Sequence, residues 1–116
     1  MRQKIYTKIW TKKLMDKFGL TENQLYFILK ILNDNIKQNN AKYYIFGSRA
    51  KGTFKKFSDV DIALDLTPDK LELNVLAQIL ISFEDSIFPY KVDIIDLNSI
   101  DKKFFDYIKN DLIQIN

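Results

Sequence analysis

Two short motifs in the middle of the chain carry the groups that could do chemistry. Gly47-Ser48 follows an apolar, β-prone run at 43–46, and ten residues later Asp59 and Asp61 begin a second apolar run. A Gly-Ser turn at a strand end lets backbone amides approach phosphate oxygens, and the serine hydroxyl adds a further donor. The pattern therefore predicts a phosphate-binding turn that leads into an acidic strand.

Asp59 and Asp61 are two residues apart, so on a β-strand both carboxylates point to the same face. Hard oxygen ligands on one face suit Mg²⁺, and phosphate oxygens can complete its coordination. A pair of such ions can clamp the attacking and leaving oxygens of an in-line displacement. Two carboxylates on a strand are, by themselves, more often only solubilising charges. Next to a Gly-Ser turn, however, each part has a physical role in moving a nucleotide.

A third acid lies farther along the chain. Asp93 is in the apolar run 91–95, where it alternates with Val92 and Ile94 and so points away from the face they bury. Gly-Ser, ten residues, Asp-x-Asp and a later strand aspartate together resemble the signature of the DNA polymerase β-like nucleotidyltransferases. The chain looks most like their smallest branch, the minimal nucleotidyltransferases (MNT), in order from about residue 21 onward.

The resemblance implies a role for each residue of the signature. Asp59, Asp61 and Asp93 would be the catalytic acids and the ligands of two Mg²⁺ ions. Asp93 would also help to deprotonate the acceptor hydroxyl. Gly47 and Ser48 would bind the β- and γ-phosphates of ATP, the nucleotide that the family implies as substrate.

Other polar residues near the signature are weaker candidates. Arg49 directly follows the turn, and its side chain is predicted to bind phosphate, with pairing to an acid as the alternative. Asp65 is on the site face but farther along its strand, and Asp96 would face the other way. For the basic and aromatic loop 51–57, two interpretations stay open: contact with nucleotide or acceptor, or solvated lysines over packed phenylalanines.

Proteins of this branch are encoded beside helical HEPN proteins, often as toxin–antitoxin pairs. The resemblance therefore implies an antitoxin that transfers AMP from ATP to a tyrosine of a HEPN partner. Two alternatives remain: the catalytic subunit of a two-protein enzyme acting on a small molecule or nucleic acid, and a non-catalytic module that masks its partner. Larger relatives have further domains that hold the acceptor, so we expect another protein to present it here.

The composition fits one globular domain over residues 1–116, with 47% hydrophobic and 28% charged residues. The chain has no His, which excludes His-based triads and bases, and no Cys, which leaves no ordinary Cys/His zinc site. The lack of Cys, of a run long enough to span a membrane and of a secretory leader pattern favours the cytoplasm.

Charge is unevenly distributed. Residues 1–20 hold six basic residues and one acidic residue, whereas the remainder holds 12 basic and 14 acidic residues. The first segment also has apolar residues at helical spacing, so we expect a basic amphipathic helix that stops at Gly19. Its apolar stripe could dock on the domain or be left for a partner or for self-association. Its lysines could form a solvated face or contact nucleic acid, and attachment to a membrane is disfavoured.

The remaining patterns predict an α+β fold, a small mixed sheet flanked by helices over a catalytic core at 21–116, which agrees with the polymerase β-like fold that the resemblance implies. Helices should cover one face of the sheet and leave the acidic face open. The predicted elements are a helix from Thr21 to about Asn39, a strand at 43–46, a strand at 59–66, a helix from Pro68-Asp69 to about Asp85, a strand at 91–97, a helix capped by Asn98 or Ser99, and a short edge strand at 113–115.

Overall fold

The computed structural model describes residues 18–116; the basic segment predicted to be helical lies, apart from its last residues, outside this range. Gly19 has a φ of +70°, the left-handed conformation expected where a helix stops. The elements that follow are α1 (Glu22–Asn35), β1 (Lys42–Phe46), α2 (Gly47–Lys51), β2 (Val60–Asp65), α3 (Leu73–Glu84), β3 (Val92–Asp96), α4 (Lys102–Ile108), a 3₁₀ turn (Lys109–Asp111) and β4 (Ile113–Gln114).

The strands form a mixed four-stranded sheet in the order β3-β2-β1-β4, which confirms the predicted α+β fold. β1 is antiparallel to both β2 and the short edge strand β4, whereas β2 and β3 are parallel. Three paired residues lie side by side across β1, β2 and β3: Phe46 is opposite Asp61, and Asp61 is opposite Asp93. The end of β1 and the beginnings of β2 and β3 therefore meet at one edge of the sheet.

Helix α1 begins with the capping box that the sequence predicts from Thr21 followed three residues later by Gln24. The Thr21 hydroxyl accepts from the Gln24 amide at 3.1 Å, and the Gln24 side chain accepts from the Thr21 amide at 2.9 Å. The helix ends at Asn35, four residues before the predicted Asn39. It stops because Ile36 is extended and buried, which directs the chain toward β1.

Helix α3 begins at Leu73, so the predicted start at Pro68-Asp69 is wrong. The intervening segment is instead fastened in a turn by hydrogen bonds from the Asp69 amide to the Leu66 carbonyl and from the Leu71 amide to the Asp96 carboxylate, both 2.8 Å. The apolar spacing of this helix predicts that Leu73, Ile79 and Phe83 are buried. Ile79 and Phe83 are buried, but Leu73 is 81% exposed.

The main core lies between one face of the sheet and the helices α1 and α3. The alternation along β2 is as predicted, because Val60, Ile62 and Leu64 are fully buried on this face. Helix α1 contributes a continuous apolar stripe that includes Leu25, Ile28 and Leu32. Burying this face fixes the register of β2 and so orients its aspartates to the opposite face.

The opposite face is less open than predicted, because a second cluster of buried residues covers part of it. Helix α4, which is capped by Asp101 and not by Asn98 or Ser99, packs Ile108 against Ala63 and Phe46. The acidic groups at the edge of the sheet near Gly47 stay partly accessible. None of the helices between residues 18 and 116 is both long and apolar enough to cross a membrane.

Candidate active site

The predicted Gly-Ser turn lies at the end of β1, where the chain passes directly into the short helix α2. Gly47 has a φ of +74°, a conformation that residues with a Cβ rarely adopt. A Cβ placed there would also collide with Oδ2 of Asp61. The Phe46 side chain gives no cap hydrogen bond to the first amides of α2. The turn therefore passes immediately beside the central carboxylate of the predicted site.

The three aspartates predicted to act together are gathered at this edge of the sheet. Asp61 is next to Asp93 across the parallel strands β2 and β3, and Asp59 precedes β2 by one residue. All three are partly buried. Burial, then the negative charge of Asp93 and then that of Asp59 raise the pKa of the Asp61 carboxyl to about 6. The carboxylates are thus close enough to repel one another.

Two cations partly offset this repulsion. Arg49 and Lys91 both lower the pKa of Asp61, but their effects are smaller than those of burial and the neighbouring acids. Lys91 Nζ lies 3.8 Å from Asp93 Oδ1, a long contact between two side chains that are 71% and 46% exposed. Such an exposed pair contributes little energy. The site consequently retains uncompensated negative charge.

The charge and the oxygen donors suit a hard divalent cation. Within residues 18–116, however, no three His, Cys, Asp or Glu side chains lie close enough together to hold a metal ion on their own. An ion held between these aspartates would therefore need further ligands from outside the described residues. Clustered carboxylates repel one another, so we expect a cation to bind among them only when it supplies enough positive charge to offset that repulsion.

The two weaker acidic candidates have other partners. Asp65 accepts hydrogen bonds from the Thr67 amide at 3.0 Å and the Thr67 hydroxyl at 2.6 Å, which lower the pKa of Asp65. Asp96 faces away from the site, as predicted, and is 7% exposed. Its carboxylate accepts from the Leu71 and Asn98 amides and from the Ser99 hydroxyl. Asp96 thus fastens the loops at the far end of the sheet.

The Arg49 side chain does not reach outward as a phosphate ligand would. It is 1% exposed, and its donors bind the backbone carbonyls of Phe18, Gly19 and Ser58. To bind phosphate, it would have to break these bonds and leave its buried position. The geometry therefore opposes the predicted phosphate contact, and the alternative pairing with an acid does not occur within residues 18–116.

Different residues of the basic loop 51–57 fit different ones of the two interpretations. Phe54 is half-buried and packs against Arg49, as in the interpretation with packed phenylalanines. Phe57 is 73% exposed, with Lys56 over its ring, and is free to contact another molecule. Lys51 is in α2, where it lies 3.6 Å from Asp111 and 5.8 Å from the ring centre of Tyr107.

Sequence reasoning missed three residues that support this edge of the sheet: Tyr90, Ser58 and Lys91. Tyr90 stacks on the Arg49 guanidinium, with 4.2 Å from its ring centroid to Arg49 Cζ, and Ser58 supplies the carbonyl that Arg49 holds. Tyr90 lies just before β3, but no spacing pattern indicates that it contacts Arg49. Lys91 could have been found, because it is two residues from Asp93 on an extended chain and shares its face.

A mixed sheet with a Gly-Ser turn beside an aspartate cluster defines the class of nucleotidyltransferases. The family model for the nucleotidyltransferase domain matches residues 26–115. The chain belongs to this family. The match includes β1 to β4 and every residue of the predicted site.

Two relatives are similar in sequence. The protein adenylyltransferase MntA of Shewanella oneidensis is 43% identical over 84 residues, which are 69% of this chain and 53% of that protein. A probable protein adenylyltransferase MntA of Haemophilus influenzae is 32% identical over 66 residues, 57% of each chain. The match thus spans only a little over half the length of these relatives.

Solved structures show the same fold. A crystal structure of a toxin–antitoxin with AMP-PNP superposes with a TM-score of 0.67 at 28% identity, covering 84% of this chain and 73% of that chain. A complex of a tri-AMPylated Shewanella oneidensis HEPN toxin with MNT antitoxin superposes with a TM-score of 0.62 at 23% identity, covering 82% of this chain and 71% of that chain. At the latter identity the likeness shows the shared fold alone.

Proposed function

We propose that the chain is a Mg²⁺-dependent protein adenylyltransferase that transfers AMP from ATP to a tyrosine hydroxyl of a HEPN-family partner and so acts as its antitoxin. The observation that carries the proposal is the contact of the Gly47 turn with Asp61, beside Asp93. This contact brings a phosphate-binding turn within reach of a carboxylate cluster. The residues 21–116 serve as the catalytic core, and the use of ATP implies the cytoplasm.

Gly47 and Ser48 bind the β- and γ-phosphates in this mechanism. Gly47 has no side chain to shield its backbone, and the Ser48 hydroxyl is only partly buried. Held at this turn, the triphosphate presents its α-phosphorus toward β2. Positioning of this kind, together with fixed charges, supplies most of the rate enhancement in phosphate chemistry.

Asp59, Asp61 and Asp93 would hold two Mg²⁺ ions, which when bound would neutralise the triphosphate and acidify the acceptor hydroxyl. Asp93 takes up the proton of the attacking hydroxyl at its carboxylate. The acceptor oxygen then forms a bond to the α-phosphorus, the bond to the bridging oxygen of the β-phosphate breaks, and pyrophosphate leaves. The product is an AMP ester of the acceptor.

The assignment of substrate and partner is supported by the relatives. Two proteins with similar sequences are named protein adenylyltransferases, and a structurally similar chain is part of a toxin–antitoxin solved with AMP-PNP. The resemblance to minimal nucleotidyltransferases favours a helical HEPN protein, encoded nearby, as the acceptor. A tyrosine hydroxyl is an acceptor that needs only the deprotonation described for Asp93.

The test is transfer of label from α-³²P ATP, with Mg²⁺, to the purified product of the neighbouring gene and to host-cell lysate. The variant with Asp59→Asn and Asp61→Asn is the control. We expect label on one helical protein, on a tyrosine identified by mass spectrometry, and none with the double variant or with EDTA. Label on RNA or a small molecule would instead support a two-protein enzyme. Binding of the neighbour without any transfer would support a masking module.

A further inference from the structure

The guanidinium of Arg49 is buried between three segments of the chain. Its Nε and Nη2 both donate to the Ser58 carbonyl, at 3.1 and 2.8 Å. Its Nη1 donates to the Phe18 and Gly19 carbonyls, at 2.8 and 3.2 Å. The planar fork of an arginine can make this set of bonds, whereas the single ammonium of a lysine cannot.

Aromatic rings complete the environment of this cation. Arg49 Cζ lies 4.2 Å from the ring centroid of Tyr90 and 5.3 Å from that of Phe54. Within residues 18–116 no carboxylate forms an ion pair with the guanidinium. The buried charge is stabilised by carbonyl dipoles and ring faces, an arrangement that depends on accurate placement of every partner.

The location of these partners connects the two halves of the proposed site. Arg49 is the residue after Ser48, so its backbone belongs to the phosphate-binding turn. Ser58 is the residue before Asp59, so its carbonyl belongs to the start of the acidic strand. The side chain thus links the first and last of the ten residues that separate Ser48 from Asp59.

We infer that Arg49 is a positioning residue, which fixes the Gly47-Ser48 turn relative to Asp59 and does not itself touch the nucleotide. The inference rests on the proposed function, because the turn and Asp59 matter for transfer only if they hold phosphate and metal. It replaces a direct phosphate role for the side chain. It also explains why a cation next to the turn is buried away from the surface.

Arg49→Lys and Arg49→Met separate the two roles. A positioning residue needs the fork, so both variants should lower kcat for AMP transfer at least about tenfold, with the KM for ATP changed less than about threefold. A phosphate ligand needs mainly the charge, so Arg49→Lys would stay near wild type while Arg49→Met raised the KM for ATP. The latter pattern would overturn the inference.

Ile79→Val is the control for a loss of stability alone, because it removes one carbon from a fully buried side chain on α3, outside the site. Rates are compared at a temperature where thermal unfolding shows every variant to be folded. The inference requires Arg49→Lys to lose activity while Ile79→Val keeps it. Equal rates for Arg49→Lys and wild type, or equal losses for Arg49→Lys and Ile79→Val, would refute it.

A second readout does not depend on catalysis. In ¹H–¹⁵N spectra, Arg49→Lys should shift the amide resonances of Gly47, Ser48, Asp59 and Asp61, and Ile79→Val should leave them in place. Unmoved resonances at Asp59 and Asp61 would refute the positioning role even if wild type transferred nothing. Conversely, wild type without transfer but with the expected shifts would count against the proposed function alone.

Discussion

The backbone of Gly47 lies so close to the carboxylate of Asp61 that a Cβ at residue 47 would collide with Asp61 Oδ2. The two residues are 14 apart in sequence but meet because Phe46, the last residue of β1, is opposite Asp61 in the antiparallel register. The pairing of β1 with β2 therefore sets the contact between the Gly-Ser turn and the acidic strand.

Gly47→Ala should damage both stability and transfer. The positive φ of residue 47 costs an alanine about 1–2 kcal/mol, and the collision with Asp61 adds further strain. Gly52→Ala is a matched control. Gly52 also has a positive φ, +82°, but within residues 18–116 nothing beyond its chain neighbours lies within 4 Å of the position that a Cβ would take. Urea unfolding and AMP-transfer rates of both variants measure the difference.

We expect Gly52→Ala to lose about 1 kcal/mol and to keep most of its transfer activity. Gly47→Ala should lose more stability and, because Asp61 is displaced, nearly all activity. If both variants showed the same unfolding free energy and the same rate, the close contact between Gly47 and Asp61 would have no functional importance.

The stability of the metal-free protein should depend on the ionisation of Asp61. Its pKa is about 6 in the folded protein and 3.8 ordinarily, so the unfolded chain releases the proton first as pH rises. Ionisation between pH 4 and 6 therefore favours unfolding, and the folded protein stays less stable above pH 6. Asp61→Asn removes this loss, although it should abolish transfer.

The check is thermal unfolding in EDTA from pH 3.5 to 7.5. Asp61→Asn should melt roughly 3 °C above wild type at pH 7.5, a value reduced for solvent screening, and the gap should close below pH 4. A difference in melting temperature that stayed constant with pH, or had the opposite sign, would show that burial and the neighbouring acids do not disfavour the charged form of Asp61.

Asp93 and Asp96 are on the same strand, and their substitution should have opposite consequences. Asp96→Ala removes three hydrogen bonds from a buried carboxylate and should cost about 3 kcal/mol of stability. Asp93→Ala relieves repulsion with Asp61 and should leave stability unchanged or higher. Chemical unfolding and transfer per folded molecule distinguish them: only Asp93→Ala should lose the reaction.

Much of the fold follows from the sequence because alternation along short strands is a strong signal. The bounds of β2 and β3 are within one residue of those predicted, since burial of Val60, Ile62 and Leu64 determines which face the aspartates take. The capping box at Thr21 is equally local and is confirmed.

Features that depend on distant partners are not predictable in this way. The start of α3 is shifted because the Leu71 amide is held by Asp96, 25 residues away. The geometry opposes the predicted phosphate role of Arg49 because its side chain is held by carbonyl and ring partners from three separate stretches of chain. The packing of α4 over part of the acidic face is not predicted, because the apolar spacing of a helix does not show which face of the sheet Ile108 packs against.

The proposed site is tested by comparing Asp61→Asn with Asp65→Asn in AMP transfer to the HEPN-family partner in Mg²⁺. Both residues are on the same face of β2, but only Asp61 lies beside the Gly47 turn. We expect Asp61→Asn to lower the rate about 10²-fold or more, as EDTA should, and Asp65→Asn to stay within about threefold of wild type. Equal rates for the two variants would contradict an adenylyl-transfer site at this edge of the sheet.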